Sequence, residues 1–442
     1  MKLEDLKKIA RDNGVVGAGG AGFPAYAKMT DKADTVLLNC AECEPLLKLH
    51  RQLLAVHTDE IVSMLDEVCS AMGARDAAIC VKSEYKSTID AIKPILKDYP
   101  NVRLCELKSV YPAGDEIVLI YEATGRVISP GGLPIDENVV VYNVETMYNL
   151  YRAVHLGIPV TNKIVSIVGE IDNPLTIRVP LGTTVREAVA LAGKVTTKDP
   201  AYLMGGPMMG FIGNENTVVT KTTNAIIILP STHPVIQKIN KNIEVEKRRA
   251  SSSCCQCRTC TDMCPRHSLG HPIEPHRIMR AVANQDVSDL SVFINASYCS
   301  GCGVCEKYAC PQGLSPKSII QEFKGGLRAA GIKADKLESA GVVTDRAYRQ
   351  VPVHRLAGKL GLAKYDVSAP FIDETPTTKR VAIKLSQHIG APAKAVVKAG
   401  DDVKKGQIIA EAAEGLSVNI HCSIDGIVET VSDKEIVVKE RN

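Results

Sequence analysis

Between residues 35 and 155 short apolar runs alternate with longer amphipathic stretches. The runs TVLLNC, AAICVK, VRLCEL and NVVVYNVE read as strands. Helices are predicted over 58–72, over 86–98 and again up to about residue 155, the first opening at Thr58 with Asp59 and Glu60 in its first turn. Strands alternating with helices predict a parallel sheet covered by helices. Ahead of it, MKLEDLKKIARDNG reads as a short amphipathic helix, with Leu3, Leu6 and Ile9 on one side and Gly14 as its stop. Over 163–212 the pattern changes to two strands joined at DNP and a short helix starting at Thr184, a small α+β unit, with the glycine-rich turn GGPMMG at 205–210. A polar, basic linker over 241–253 leads to a helical region over 254–330. Residues 331–377 are weakly patterned, and 380–440 return to short strands with turns at AGDD, KKG and IDG, which predicts a small β-barrel or sandwich.

At 442 residues the chain is too long for one ordinary core and is expected to form three or four domains. Its 45% hydrophobic and 23% charged residues are those of a globular protein. A net charge of +3 and only 4% aromatic residues, with no Trp, argue against nucleic acid as a partner. No apolar run approaches the roughly 20 residues of a spanning helix, so direct membrane insertion is not expected. The N-terminus has no apolar signal core, so a cytoplasmic protein is expected. There, 15 cysteines are better read as metal ligands plus buried thiols than as disulfides.

Those cysteines carry the strongest chemical signal. Cys254, Cys257, Cys260 and Cys264, followed by Pro265, match the C-x2-C-x2-C-x3-C-P run of [4Fe–4S] proteins. Cys299, Cys302, Cys305 and Cys310, followed by Pro311, repeat it with four residues in the last gap. Three thiolates two residues apart let a tight loop wrap one corner of a cubane, and the cysteine before proline leaves on a new segment. Two runs therefore predict two clusters with exchanged fourth ligands. One set is Cys254, Cys257, Cys260 and Cys310; the other is Cys299, Cys302, Cys305 and Cys264. Zinc, which takes four ligands in two pairs, suits this spacing poorly. Cys255 is surplus and, beside Cys254, is expected to point away from the cluster. His267 and His271 flank the first run and read as surface or core residues.

GVVGAGGAGFPAYAK (14–28) contains Gly17-x-Gly19-x-x-Gly22. The literal dinucleotide fingerprint should follow a strand and open a helix; here a helix precedes it and Pro24 follows at once. The segment reads as a glycine-rich loop whose bare backbone can lie against a phosphate or a flat ring, with Lys28 to supply charge. NCAECEP puts Asn39, Glu42 and Glu44 just past one strand, YPAGDEI puts Asp115 and Glu116 past another, and YNVETM puts Asn143 and Thr146 at a third. Each alone reads as a cap or turn; together they ring the carboxyl edge of a parallel sheet, where ligands bind.

These segments and the cysteine runs resemble the NADH-binding flavoprotein subunit of respiratory complex I and, more closely, the C subunit of the Rnf electron-transport complex. The resemblance implies that Gly17, Gly19, Gly20, Gly22, Phe23, Lys28, Asn39, Glu42, Glu44, Tyr111, Gly114, Asp115, Glu116, Asn143 and Thr146 line a site for FMN and NADH, with Phe23 stacking on the dinucleotide. It implies an α/β multidomain chain. An FMN/NADH-binding Rossmann-like domain spans 1–158, a β-grasp (SLBB) domain 159–240, a helical two-[4Fe–4S] ferredoxin-type domain 241–335, a linker 336–377 and a barrel-sandwich 378–442. Rnf subunits usually carry the barrel-sandwich at the N-terminus. The C-terminal position here, and the four-residue gap before Cys310, are similar to the corrin reductases of propanediol-utilising bacterial microcompartments. A lipoyl or biotinyl lysine is missing from the hairpin tip AAEGLSVNI, so this domain reads as a docking or scaffolding unit.

On that resemblance NADH reduces FMN, two clusters carry single electrons, and the acceptor is a corrinoid whose adenosyltransferase and microcompartment shell proteins are the expected partners. No nucleophile or general base is called for. A peripheral Rnf-type subunit, and a ferredoxin-like carrier without NADH activity, remain as alternatives.

Overall fold

The computed structural model describes residues 1–441. The first unit runs α1 (Leu3–Asp12), β1 (Thr35–Cys40), α2 (Leu49–Val56), α3 (Thr58–Met72), β2 (Asp76–Lys82), α4 (Lys86–Ile92), β3 (Val102–Leu107), β4 (Val110–Tyr111), α5 (Glu116–Thr124), β5 (Val139–Asn143) and α6 (Val144–His155). Its parallel sheet has the order β3-β2-β1-β5. β1 and β2 are buried on both faces, which is why they read as continuous apolar runs. One face packs on α1, α2, α3, α4 and α6, the other on α5. α3 has the predicted bounds and stops at Gly73, whose φ of 69° is a left-handed cap. The helix predicted over 86–98 ends at Ile92, just before Pro94, and resumes as a short turn at Leu96–Asp98.

The second unit holds β6 (Asn162–Gly169), β7 (Leu175–Pro180), α7 (Val185–Ala190), β8 (Pro200–Met204), β9 (Phe211–Gly213) and β10 (Ala225–Pro230). β6 and β7 form the expected antiparallel hairpin, and Thr184 caps α7 in a reciprocal box with Glu187. The cysteine region is helical: α8 (Pro234–Ile239), α9 (Ile243–Ser253), α10 (Thr259–Asp262), α11 (Pro275–Asn284), α12 (Ser291–Ile294) and α13 (Pro316–Ala329).

The weakly patterned stretch is no free linker. It contains β11 (Val351–Pro352), α14 (Val353–Lys359) and β12 (Phe371–Ile372). β11 pairs with β4 of the first unit, and β12 extends the second unit's sheet to the order β12-β7-β6-β10-β8-β9. Asp373 then bonds Arg178 of β7 and His57 before α3, the latter at 2.6 Å. Anchors drawn from distant parts of the chain leave no periodicity behind, so the pattern could not reveal them.

The last unit is a sandwich of β13 (Arg380–Lys384), β14 (Lys394–Ala395), β15 (Asp402–Val403), β16 (Ile408–Glu411), β17 (Ile420–His421), β18 (Gly426–Val431) and β19 (Glu435–Lys439), in sheets ordered β13-β19-β18-β15 and β14-β16-β17 around its own apolar core.

Candidate functional site

The carboxyl ends of β1 and β5 and the turn after β4 meet at one edge of the parallel sheet. Asn39 at the end of β1 donates to Gly114 O at 3.0 Å and accepts Ala41 N–H at 3.0 Å, stitching two of the polar segments together. A Cβ on Gly114 would stand 2.5 Å from Ala41 O, so only glycine fits this approach. Asn143 caps α6 by accepting Glu145 N–H at 3.0 Å. One turn on, the Thr146 hydroxyl accepts Ala18 N–H at 2.9 Å and donates to Val16 O at 3.3 Å, pinning the glycine loop to α6.

The loop folds back on itself, with Gly17 N–H on Phe23 O at 2.8 Å. Gly20, with φ of 58°, has open space where a Cβ would be, so bare backbone faces outward there. Phe23 is 36% exposed, and its ring centroid lies 5.9 Å from Lys28 Nζ, which is bonded to Glu116 at 2.7 Å and Val141 O at 3.1 Å. Glycine backbone, aromatic face, lysine and carboxylate are thus brought together.

Deeper in the same edge, Glu42 Oε2 accepts Arg51 N–H at 3.1 Å, while its Oε1 is buried without a partner. His50, 3.6 Å from that oxygen, has an equally unpartnered Nε2, and burial lowers its pKa, which keeps the ring neutral. Buried polar atoms without partners are costly, and these two have the chemistry to bond N–H or hydroxyl groups of a ligand. His50 was not singled out from the sequence; it lies on α2, a helix that the patterning also missed.

Three predicted residues lie farther along the edge. Tyr111 donates its hydroxyl to Cys302 O at 2.6 Å. Asp115 caps α5 and pairs with Arg266 at 2.8 Å. Glu44 reaches under the GGPMMG turn, accepting Met208 N–H at 2.8 Å, and any Cβ on Gly206 would collide with its carboxyl. Burial pushes Glu44 up to about 7. From the far side Lys307 and Lys317 donate to Met208 O at 3.2 and 3.1 Å. The turn is therefore clamped between the sheet edge and the second cysteine loop. Arg266 and Lys307 had one sequence signal: both sit inside or beside the cysteine motifs.

Cys254, Cys257, Cys260 and Cys310 line one cavity. Burial pushes the Cys260 thiol up to about 12, reinforced by charge on Cys310, Cys254 and Cys257. Cys264 lies instead with Cys302 and Cys299, and Cys305 with Cys299, Cys302 and Cys264. Burial likewise raises Cys302 to about 12. Such thiols surrender their protons to iron, not to water. Among the described residues no three His, Cys, Asp or Glu side chains converge closely enough for a single metal ion. Each set instead gathers four thiols about one place, the donor chemistry that a four-iron cluster takes, one thiolate per iron. Gly301 N–H reaches Cys299 Sγ at 3.3 Å, and Leu314 N–H reaches Cys310 Sγ at 3.4 Å. The extra residue before Cys310 is taken up by one π-helical turn over Cys305–Ala309. Cys255 lines the same cavity as Cys254 and does not turn away from it, because Gln256, at φ of 55°, bends the chain there.

The sequence pattern of the Nuo51 FMN-binding domain matches residues 10–152, that of the SLBB domain 164–212, that of a 4Fe-4S dicluster domain 253–315, and that of the RnfC barrel sandwich hybrid domain 361–441. The chain is 42% identical over 441 residues to the cobalamin reductase PduS of Salmonella typhimurium, covering 99% of this chain and 97% of the relative. The chain belongs to the PduS family. A second PduS, from Citrobacter freundii, is 41% identical over 438 residues, 98% of this chain and 96% of its own. The C subunit of a proton-translocating ferredoxin:NAD(+) oxidoreductase complex from Clostridium ljungdahlii is 31% identical over 273 residues, 60% of this chain and 57% of its own. This PduS family member is an α/β multidomain protein with FMN-binding, SLBB, dicluster and barrel-sandwich domains. None of its described helices is long and apolar enough to cross a membrane.

Proposed function

We propose that this protein is an NADH-dependent cobalamin reductase, using FMN and two [4Fe–4S] clusters. The observation that carries the reading is the join between its two halves: the short strand β4 of the flavin domain bonds the Cys302 loop directly through Tyr111. Near-full-length kinship with two cobalamin reductases supports the corrinoid as acceptor.

The bound flavin supplies two-electron exchange with nicotinamide, and the clusters supply one-electron steps. The chain's own residues bind and orient. The glycine loop offers backbone N–H groups and a flat approach, Phe23 an aromatic face for the dinucleotide, and the Lys28–Glu116 pair a fixed charge beside it. Glu42 and His50 hold the ring's polar edge. Cys264, Cys299, Cys302 and Cys305 hold one cluster against the flavin domain, and Cys254, Cys257, Cys260 and Cys310 hold the other. Around the latter set Ser251, Ser252, Ser253, Gln256, Arg258 and Gln312 are exposed, and the acceptor docks on this face. The SLBB turn at Met208 keeps the halves in register. The same kinship supports a bacterial microcompartment as the protein's location, with an adenosyltransferase and shell proteins as neighbours.

The test is anaerobic. Purified protein should carry flavin and about eight irons, four per cluster. NADH should bleach flavin and clusters, and cob(II)alamin should reoxidise them. A protein without flavin, or one whose reduced centres ignore cobalamin, would overturn the proposal.

A further inference from the structure

The barrel-sandwich domain has no chemistry of its own in this scheme, yet it touches the glycine loop at its start, its apex and its end. At the loop's start, the buried Lys221 from the SLBB domain donates to Gly14 O at 2.7 Å and to Asn419 O of the barrel-sandwich at 3.4 Å. A Cβ on Gly14 would stand 2.6 Å from both Lys221 Nζ and Asn419 O. At the apex, Ile389 N–H donates to Ala21 O at 2.8 Å. Gly22, at φ of 66°, is pressed against Gln387 O, where a Cβ would come within 3.0 Å. The Gln387 side chain in turn accepts Lys221 N–H at 3.0 Å. At the loop's end, the Tyr26 hydroxyl donates to Gly415 O at 3.2 Å and accepts Ser417 N–H at 3.3 Å.

Gly415 and Ser417 belong to the hairpin tip that lacks a lysine. That tip also takes Arg11 on Ala413 O at 3.4 Å, so its backbone is committed to the flavin domain. Only one side of the loop is covered, since the space beside Gly20 stays open. A glycine-rich segment has the most conformational freedom to lose on ordering, so outside contacts decide its shape.

We propose that the barrel-sandwich domain is a positioning clamp for the glycine loop, setting how tightly the loop grips flavin and dinucleotide. This rests on the flavin and NADH reading above. The test is the double variant Tyr26→Phe with Gln387→Ala in the full chain, against Arg380→Ala, which removes an exposed barrel-sandwich ion pair with Glu429 away from the loop. Loss of the two Tyr26 hydroxyl bonds and of the Gln387 side-chain bonds to Lys221 and Lys384 should raise KM for NADH and the FMN dissociation constant about fivefold to tenfold. kcat at saturating NADH should change less than about twofold, and iron content and cluster spectra should match wild type. Amide exchange over residues 14–28 should accelerate, and Gln387→Glu, which keeps the acceptor oxygen, should restore most of the affinity lost in Gln387→Ala. If the double variant does not fold, Tyr26→Phe alone should show the smaller half of the effect. Unchanged KM and FMN affinity, with or without faster loop exchange, would overturn the clamp. The FMN titration reads it even in a protein that proves inactive with NADH, so the two proposals fail separately.

Discussion

The two cysteine sets have nearly the same spacing and opposite surroundings. Cys264, Cys302 and Cys305 are buried and Cys299 is partly covered, with Tyr111 of the flavin domain bonded to the Cys302 carbonyl. Cys257 is exposed and its partners Cys254, Cys260 and Cys310 are only partly covered, among serines, glutamines and an arginine. A motif thus states what kind of group is held, while its setting differs: the buried set faces the flavin domain and the open set faces outward. Burial matters chemically as well, because solvent access and hydrogen bonds to sulfur tune a cluster's potential.

The harshest way to break this comparison is Cys264→Ser. With exchanged ligands, it should damage the set of Cys299, Cys302 and Cys305 although Cys264 belongs to the other motif. Iron should fall from about eight to about four per chain. Electron paramagnetic resonance should keep the signal of the open set; loss of that signal instead would show that each run holds its own cluster.

Tyr111→Phe probes the join. The Cys302 carbonyl loses a buried donor, a cost of about 1–3 kcal/mol. Both clusters should assemble, and stopped-flow traces should show slower cluster reduction by NADH with flavin reduction unchanged. Equal slowing of both phases would mean that Tyr111 serves the flavin pocket and not the connection.

Glu44→Gln tests the clamp on the Met208 turn by pH. Burial raises the Glu44 pKa from 4.5 to about 7, so the fold binds this proton more tightly than the unfolded chain does. Wild type therefore carries that stability in full below about 4.5 and loses it as pH rises to about 7. The glutamine variant lacks this slope. Chemical denaturation at pH 5 and pH 8 should show the variant gaining on wild type at the higher pH by on the order of 1 kcal/mol. A constant difference between the two would place the titration elsewhere.

The smallest effect is expected from Cys255→Ser. Cys255 lines the open cavity but is surplus to four ligands, so iron, flavin and cobalamin reduction should stay within measurement error of wild type. A lost or altered open-set spectrum would make Cys255 a ligand and reopen the assignment of Cys257.

Much of this was legible because it is local. α3 is delimited by its own first-turn acids and by Gly73, the β6–β7 hairpin by its turn, and the cysteine motifs by spacing that acts through a few covalent links. The candidate site was legible where polar residues end strands, since the sheet edge follows from alternation. His50 escaped because nothing in its neighbourhood on α2 marks it; only the fold sets it 3.6 Å from Glu42. The segment 331–377 escaped because its anchors, β4, β7, Arg178 and His57, are scattered over the chain.

By itself the amino-acid sequence determined the domain types, the two cysteine motifs and the glycine loop, since each depends on residues near one another along the chain. Tertiary structure alone decided which thiolate set is buried, that Glu44 and Tyr111 turn toward the second cysteine loop, and that a lysine-free hairpin tip closes on Tyr26. Those outcomes depend on which surfaces meet when separate cores pack, and contacts spanning hundreds of residues, such as Tyr26 to Gly415, leave no periodic trace in the chain.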